Sequence, residues 1–164
     1  MAELVGELFA GSAAGELDRV KAALAGGADL QQRDEEDNTA VMVALLNRRD
    51  EVFCYLLEQG GQLGPSKEVE RERQQRRAEL GSERERKEMD KELSRVSRKG
   101  ELERVVQVVG LGAAINYRDK DGWTPLMEAL FNNRPQVSLY LLAQGADVDL
   151  TEKVMLDWQP GWLH

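Results

Sequence analysis

The sequence predicts an all-α chain made of two related halves, and three observations carry that expectation. Laid on itself at an offset of 85 residues with no gap, residues 15–63 face residues 100–148. Identities run the length of the match: Gly15 with Gly100, Glu16 with Glu101, Leu17 with Leu102, Arg33 with Arg118, Asp34 with Asp119, Thr39 with Thr124, Met42 with Met127, Ala44 with Ala129 and Tyr55 with Tyr140. Such self-similarity marks a duplicated architecture. Within each half, apolar residues recur at three- and four-residue spacing, the mark of a helix with one buried stripe. Glycine then stands just past each apolar run, where a helix ends most readily in a left-handed turn.

Taken in order, Leu17, Val20 and Leu24 form the stripe of one helix, closed by Gly26 and Gly27. Asp37-Asn38-Thr39 supply turn and helix-start chemistry before the run that begins at Ala40. Val52, Tyr55 and Leu56 make the next stripe, closed by Gly60. In the second half, Asp121-Gly122-Trp123-Thr124 start a helix in the same way and Gly145 follows the last run.

Composition narrows the function. At 164 residues the chain suits a single domain, and its 22 Lys and Arg against 30 Asp and Glu give a net charge of −8. Apolar residues make up 41% and aromatics 5%, so Ala, Val and Leu must do most of the packing. One Cys, Cys54, and one His, His164, exclude an internal disulfide, a Cys/His zinc site and a normally placed His-centred triad. The longest stretch without a charge, residues 105–117, falls well short of the roughly 20 apolar residues of a membrane-spanning helix. Acids near the N-terminus argue against a signal or transit peptide, so a cytoplasmic protein is expected. The acidic balance argues against nucleic acid as the main partner.

The stretch RDKDGWTPLMEALFNNRPQVSLYLLAQGADVD, residues 118–149, resembles the ankyrin repeat, a unit of hairpin and two helices. QQRDEEDNTAVMVALLNRRDEVFCYLLEQGGQL resembles it more loosely, and GELDRVKAALAGGADL and GELERVVQVVGLGAAINY resemble the second helix and following hairpin of further repeats. The resemblance implies an ankyrin-like helical solenoid of about four repeats in two duplicated pairs. Where the family usually writes TPLH, this chain has Thr124-Pro125-Leu126-Met127 and Thr39-Ala40-Val41-Met42. Met replaces the volume of the missing His but not its hydrogen bonds, so weaker coupling between repeats is expected. Two repeats need about 66 residues, and an offset of 85 therefore implies an insert of about twenty between repeats two and three. The expected organisation is a first repeat pair at 1–63, a charged helical insert at 64–92, a second pair at 93–150 and a cap or tail at 151–164.

Residues 67–92 of the insert hold nine bases and nine acids. Ser66 is placed to cap a helix over residues 67–80, Gly81 to end it, and Ser82 with Glu85 to restart one that runs on into Leu93 and Val96. Opposite charges at helical spacing, such as Glu72 with Arg76 and Glu83 with Lys87, would sustain these helices in water. The insert reads first as a solvated spacer and second as a partner-binding helix, with Arg73, Arg76 and Arg77 of the RERQQRR run as candidate contacts. Flanking acids and the lack of interleaved aromatics weigh against RNA.

Residues 1–63 carry five bases and twelve acids, whereas residues 93–164 carry eight and nine. The densest acidic run, Asp34-Glu35-Glu36-Asp37, falls on the first hairpin tip, and its complement is a basic partner surface; its blander reading is an exposed turn that aids solubility. The second hairpin offers Tyr117, Arg118, Lys120, Asp121 and Trp123 as candidate partner contacts, with Trp123 read equally as packing along the edge of the core. Arg33 and Arg118 recur and are read as structural at least as readily as binding, Leu46 and Phe131 as core first and as concave-face residues second, and Cys54, in VFCYLL, as a buried thiol. In the tail, Met155, Leu156, Trp158, Trp162 and Leu163 read first as a cap, with Trp158 and Trp162 as alternative anchors for a partner. Asp119-Lys120-Asp121-Gly122 suggests a calcium loop, but Tyr117 stands where the first Asp belongs. No constellation for catalysis, cofactor or metal is legible. The expected function is a non-catalytic scaffold, adaptor or assembly subunit that binds other proteins through hairpin tips, concave helix faces and the charged insert, with a regulatory or inhibitor-type binder that masks a basic target through the acidic first hairpin as the alternative.

Overall fold

The computed structural model describes residues 2–147, and among these it places nine helices and no strand. The tail at 151–164, with Trp158 and Trp162, lies outside the described residues. The chain divides between Ser66 and Lys67 into two compact units.

The first unit holds α1 (Ala2–Ala14), α2 (Leu17–Ala25), α3 (Ala40–Leu46) and α4 (Asp50–Glu58). α1 pairs with α2 and α3 with α4, while α1 also packs on α3 and α2 on α4. The two pairs therefore stack in two layers. Between them lie Leu8, Val20, Ala23, Ala40, Val41, Ala44, Val52 and Leu56, edged by Leu4, Leu17, Leu24, Phe53, Tyr55 and Leu63. Leu is confined to few places in this core, and small residues bring the helices close. A methyl group on Gly11 of α1 would sit 3.0 Å from the Val20 side chain of α2. α3 starts where Thr39 Oγ1 accepts the Met42 N–H at 3.4 Å, and the same hydroxyl donates to the Gln62 carbonyl at 3.0 Å, tying the segment after α4 to the start of α3.

The second unit holds α5 (Lys67–Glu79), α6 (Glu83–Lys99), α7 (Leu102–Gly110), α8 (Pro125–Phe131) and α9 (Pro135–Ala143). The internal register carries α2, α3 and α4 onto α7, α8 and α9 end for end, and α1 onto the last three to four turns of α6. Contacts repeat as well: α6 packs on α7 and α8, α8 on α9, and α7 on α9. Its core gathers Leu93, Val96, Val105, Val108, Val109, Leu126, Ala129, Val137 and Leu141.

One duplicated contact links successive pairs inside each unit. Gly15 and Gly100 end α1 and α6 at φ 80° and 78°. Above them Arg49 Nε donates to the Ala13 carbonyl at 2.9 Å, and Arg134 Nε to the Arg98 carbonyl at 3.0 Å. A Cβ on either glycine would fall 2.9 Å or 2.7 Å from the arginine Cδ, so the bare backbone admits both the left-handed turn and the arginine stem.

The insert forms two helices. Ser82 Oγ accepts the Glu85 N–H at 3.2 Å, and the Glu85 carboxylate reaches back to the Gly81 N–H at 2.9 Å. The capping box thus closes one residue earlier than the usual pattern. α6 then runs unbroken into the second core. α5 buries none of its own residues, yet it is not a free spacer. Arg77 makes two bonds to Asp90, at 2.7 and 2.8 Å, and a third at 3.3 Å to the Gly112 carbonyl. Arg76 donates to the Gly110 carbonyl at 2.7 Å. Asp90, 3% exposed, also accepts the Ala114 N–H at 2.8 Å. α5 is clasped across the turn that follows α7.

Two expectations need correction. Cys54 is exposed, because α4 buries Val52 and Leu56 and position 54 turns to the opposite face. Leu46 and Phe131 are 37% and 45% exposed rather than core, since each is the last residue of a seven-residue helix whose buried stripe lies earlier. Met42 Sδ lies 3.5 Å from the Thr39 N–H, a contact within the start of α3.

Gly27 and Gly112 occupy equivalent places and share φ 100°. Around Gly27 a Cβ would meet nothing within 4 Å, whereas at Gly112 it would strike the Arg73 carbonyl oxygen and lie 2.9 Å from the Arg77 nitrogen. Gly27→Ala should therefore cost about 1–2 kcal/mol of backbone strain alone. Gly112→Ala should cost that plus a further ~1–3 kcal/mol from overpacking against the α5 backbone. Urea denaturation of both variants checks this, and equal losses would show that α5 does not rest on Gly112.

Candidate protein-interaction site

The acidic hairpin is first a piece of local chemistry. Asp34 Oδ1 accepts the N–H groups of Glu36 and Asn38, both at 2.9 Å, and the Asp34 N–H donates to the Asn38 carbonyl at 2.9 Å. Asp37 takes φ 66°, which its counterpart Gly122 adopts at 85° without a side chain to strain. The Asp37 carboxylate accepts the Ser66 N–H at 2.8 Å and faces Arg33 Nη1 at 3.3 Å. Arg33 also donates to the carbonyls of Asp37 at 2.7 Å and Gly64 at 2.9 Å, a structural role at the hairpin base. Asp34 and Asp37 thus hold the tip, while the exposed Glu35 and Glu36 project from it, Glu36 within 3.4 Å of the Asn38 side-chain amide.

The second hairpin repeats the turn. Asp119 Oδ1 accepts the N–H groups of Asp121 and Trp123, each at 2.9 Å. Lys120 and Asp121 stand exposed at the tip, and Arg118 makes one long bond, 3.4 Å, to the Gly122 carbonyl. Trp123 is half-buried and meets Phe131 edge-on, ring centres 5.2 Å apart. Tyr117 turns toward α6.

There the second unit opens a groove of about 540 Å³ lined by Lys91, Ser94, Arg95 and Arg98 from α6 and by Tyr117, Asp119 and Lys120 from the hairpin. Arg98 makes a two-bond pair with Glu128 of α8, at 3.0 and 3.1 Å, and Glu128 is buried. Arg95 pairs with Glu92, which Arg104 also reaches at 3.5 Å. The Arg95 guanidinium, helped by Arg104, holds the Glu92 carboxyl below the usual carboxylate range, and Glu128 raises the Arg98 guanidinium above its ordinary value. Two groove residues, Tyr117 and Lys120, are legible in the sequence. The α6 cations are not singled out there, because they sit at the end of a mixed-charge run; the signal is the spacing of 91, 95 and 98, which shares one helix face.

The other sequence candidates lie elsewhere. Arg76 and Arg77 bond to the turn after α7, as described, and Arg73 lies beside Tyr140, where its charge opposes the rise that burial imposes on the phenol. Trp158 and Trp162 fall outside the described residues.

Helix pairs stacked in two layers, the second pair of each unit entered through an Asp-built hairpin and a Thr-capped helix, define a helical-repeat protein. Residues 121–153 match the ankyrin repeat family model, and the chain has the ankyrin-like helical-repeat fold. It is 30% identical over 142 residues to "Putative palmitoyltransferase ZDHHC13" of Danio rerio, a match that covers 84% of this chain and 19% of that protein. It is 46% identical over 52 residues to "Protein phosphatase 1 regulatory subunit 27" of Homo sapiens, covering 32% of this chain and 34% of that one. The Mus musculus protein of the same name is 46% identical over 50 residues. The chain thus spans about a fifth of the Danio rerio protein and matches about a third of the mammalian ones. Ankyrin repeats are protein–protein interaction modules, and this chain carries one. Among the described residues no helix is long and apolar enough to cross a membrane.

Turn-building and partner-binding carboxylates separate by substitution. Asp34→Ala removes the carboxylate that accepts two backbone N–H groups and should lower stability by about 1–2 kcal/mol. Glu35→Ala should stay within ~0.5 kcal/mol of the parent. Thermal unfolding followed by circular dichroism tests the contrast, and a Glu35→Ala loss as large as that of Asp34→Ala would contradict it.

Proposed function

We propose that the protein is a non-catalytic, intracellular adaptor or small assembly subunit that holds other proteins on its hairpin tips and on the helix faces beside them. The observation that carries this reading is the combination of an ankyrin repeat with hairpins whose turns are fixed internally while other polar side chains project. Asp34 and Asp119 build the turns, which leaves Glu35, Glu36, Lys120 and Asp121 as rigidly presented groups. Rigid presentation lowers the entropy lost on binding. The single Cys, free and exposed, suits a reducing compartment. No cofactor or metal is part of this function.

A second reading is a regulatory binder of a basic protein surface, using Glu35 and Glu36. It is supported by the likeness to a protein named as a phosphatase regulatory subunit and by the acidic balance of the first half.

Lysine cross-linking and mass spectrometry in native extract separates the two. An assembly subunit should link through Lys87, Lys91 and Lys120 to several subunits of one complex. Replacing Glu35 and Glu36 by Ala, which leaves the turn-building Asp34 and Asp37 in place, should then remove few of these links. A regulatory binder should link to one basic protein, and the same variant should abolish most of its salt-sensitive affinity. Recovery of no stoichiometric partner by the full chain would contradict both readings.

A further inference from the structure

The duplication supplies an internal control for the groove of the second unit. The register places Gly6, Ala10 and Ala13 of α1 where α6 has Lys91, Arg95 and Arg98. It places Glu35 opposite Lys120, Gln32 opposite Tyr117, and Val43 opposite Glu128. The same helix and turn therefore form in the first unit without a single cation on that face. Even the Arg98–Glu128 pair has no counterpart across α1 and α3. What the backbone does not require in one copy it does not require in the other, so the cationic face is an addition to the fold.

The donors are also arranged for use. Arg95 and Arg98 spend Nε and Nη2 on Glu92 and Glu128, and among the described residues Nη1 of each makes no hydrogen bond. Each pair fixes a guanidinium plane while leaving two N–H groups on Nη1 to give. Lys120 forms no ion pair among the described residues, and Lys91 has only an exposed contact to Glu88 at 3.7 Å. Exposed pairs of that kind are worth ~0–1 kcal/mol, so an incoming carboxylate exchanges for Glu88 at little cost. At the floor, Ser94 is 6% exposed and its Oγ has no partner among the described residues.

Resting on the reading of the chain as a protein-interaction module, we infer that the groove between α6 and the second hairpin binds an extended acidic peptide segment of a partner protein. Spacing supports the extended form. Successive cations on α6 lie three or four residues apart, about 4.5–6 Å along the helix. Alternate side chains of an extended peptide point to one side about 6.6 Å apart. A segment with a carboxylate at every second residue sets them against Lys91, Arg95 and Arg98 in turn, with Lys120 closing from the hairpin. Nucleic acid fits less well, because Asp119 sits in the lining and Tyr117 is its one aromatic. This partner chemistry is the reverse of that at the acidic first hairpin.

The probe is a fluorescein-labelled decapeptide that alternates Glu and Ala, read by anisotropy against the full chain. The same peptide with Gln for Glu, and a ten-nucleotide single-stranded thymidine oligomer, are the comparisons. The Glu peptide should bind, weaken with salt, and shift backbone amides within residues 91–98 and 117–120 in heteronuclear NMR spectra. The triple variant Lys91→Gln, Arg95→Gln, Lys120→Gln leaves Arg98–Glu128 in place, and it should lose at least about tenfold in affinity. Equal affinity for the Glu and Gln peptides, tighter binding of the oligonucleotide, amide shifts confined to other residues, or unchanged affinity in the triple variant would each overturn the inference. Cross-links to partners in extract are unaffected by those outcomes, so failure of the groove chemistry stays distinct from failure of the interaction reading.

Discussion

A guanidinium and a carboxylate hold the most unusual part of this fold in place. Asp90 is buried on α6, and a buried carboxylate without partners is strongly unfavourable. Arg77 supplies two charge-assisted bonds and the Ala114 N–H a third, so the charge is met on three sides. Since Arg77 comes from α5, Asp90 from α6 and Ala114 from the turn after α7, satisfying this one group brings three segments together. The arrangement also raises the Arg77 guanidinium above its ordinary value, through its bonds to Asp90 first. α5 contributes no buried side chain, so these polar contacts and the bare backbone of Gly112 set its position. A break in the pair would leave Asp90 uncompensated, and the damage would extend from α5 to the turn after α7.

The two halves show which parts of a duplicated sequence serve the backbone. The Thr caps, the Asp-built turns, the left-handed residues at 15 and 100 and the arginines at 49 and 134 recur because the same geometry demands them. Projecting groups are free of that demand and have diverged. Glu35 and Lys120 occupy one place on equivalent turns with opposite charge. α1 presents Gly6 and Ala10 where α6 presents Lys91 and Arg95. Conformation is shared between the copies and surface chemistry is not, which is how a repeat fold serves different partners with one set of helices.

Much of the fold was legible because its signals are local. Ser82 and Glu85 announced the restart of a helix, and Thr39, Thr124 and the glycines marked ends that the structure keeps. The docking of α5 was not legible, since its charge pattern reads equally as a solvated face. Only the long-range partners, thirteen or more residues away, turn Arg77 from a surface charge into a clasp. The groove was visible in part for the same reason. Tyr117 and Lys120 stand out on a short hairpin, but the stripe on α6 gains meaning only once Tyr117 lies beside it. Leu46 and Phe131 misled because hydrophobic residues at the end of a short helix are not required to be inside.

The central claim, that α5 is a fixed part of the second unit through the Asp90 clasp, is tested most directly by hydrogen–deuterium exchange of the full chain and of Asp90→Ala. Slow exchange across α5 in the parent is predicted. In the variant, protection of α5 and of the turn after α7 should fall together while α8 and α9 keep theirs. Fast exchange of α5 in the parent, or equal protection of α5 in both proteins, would contradict the account.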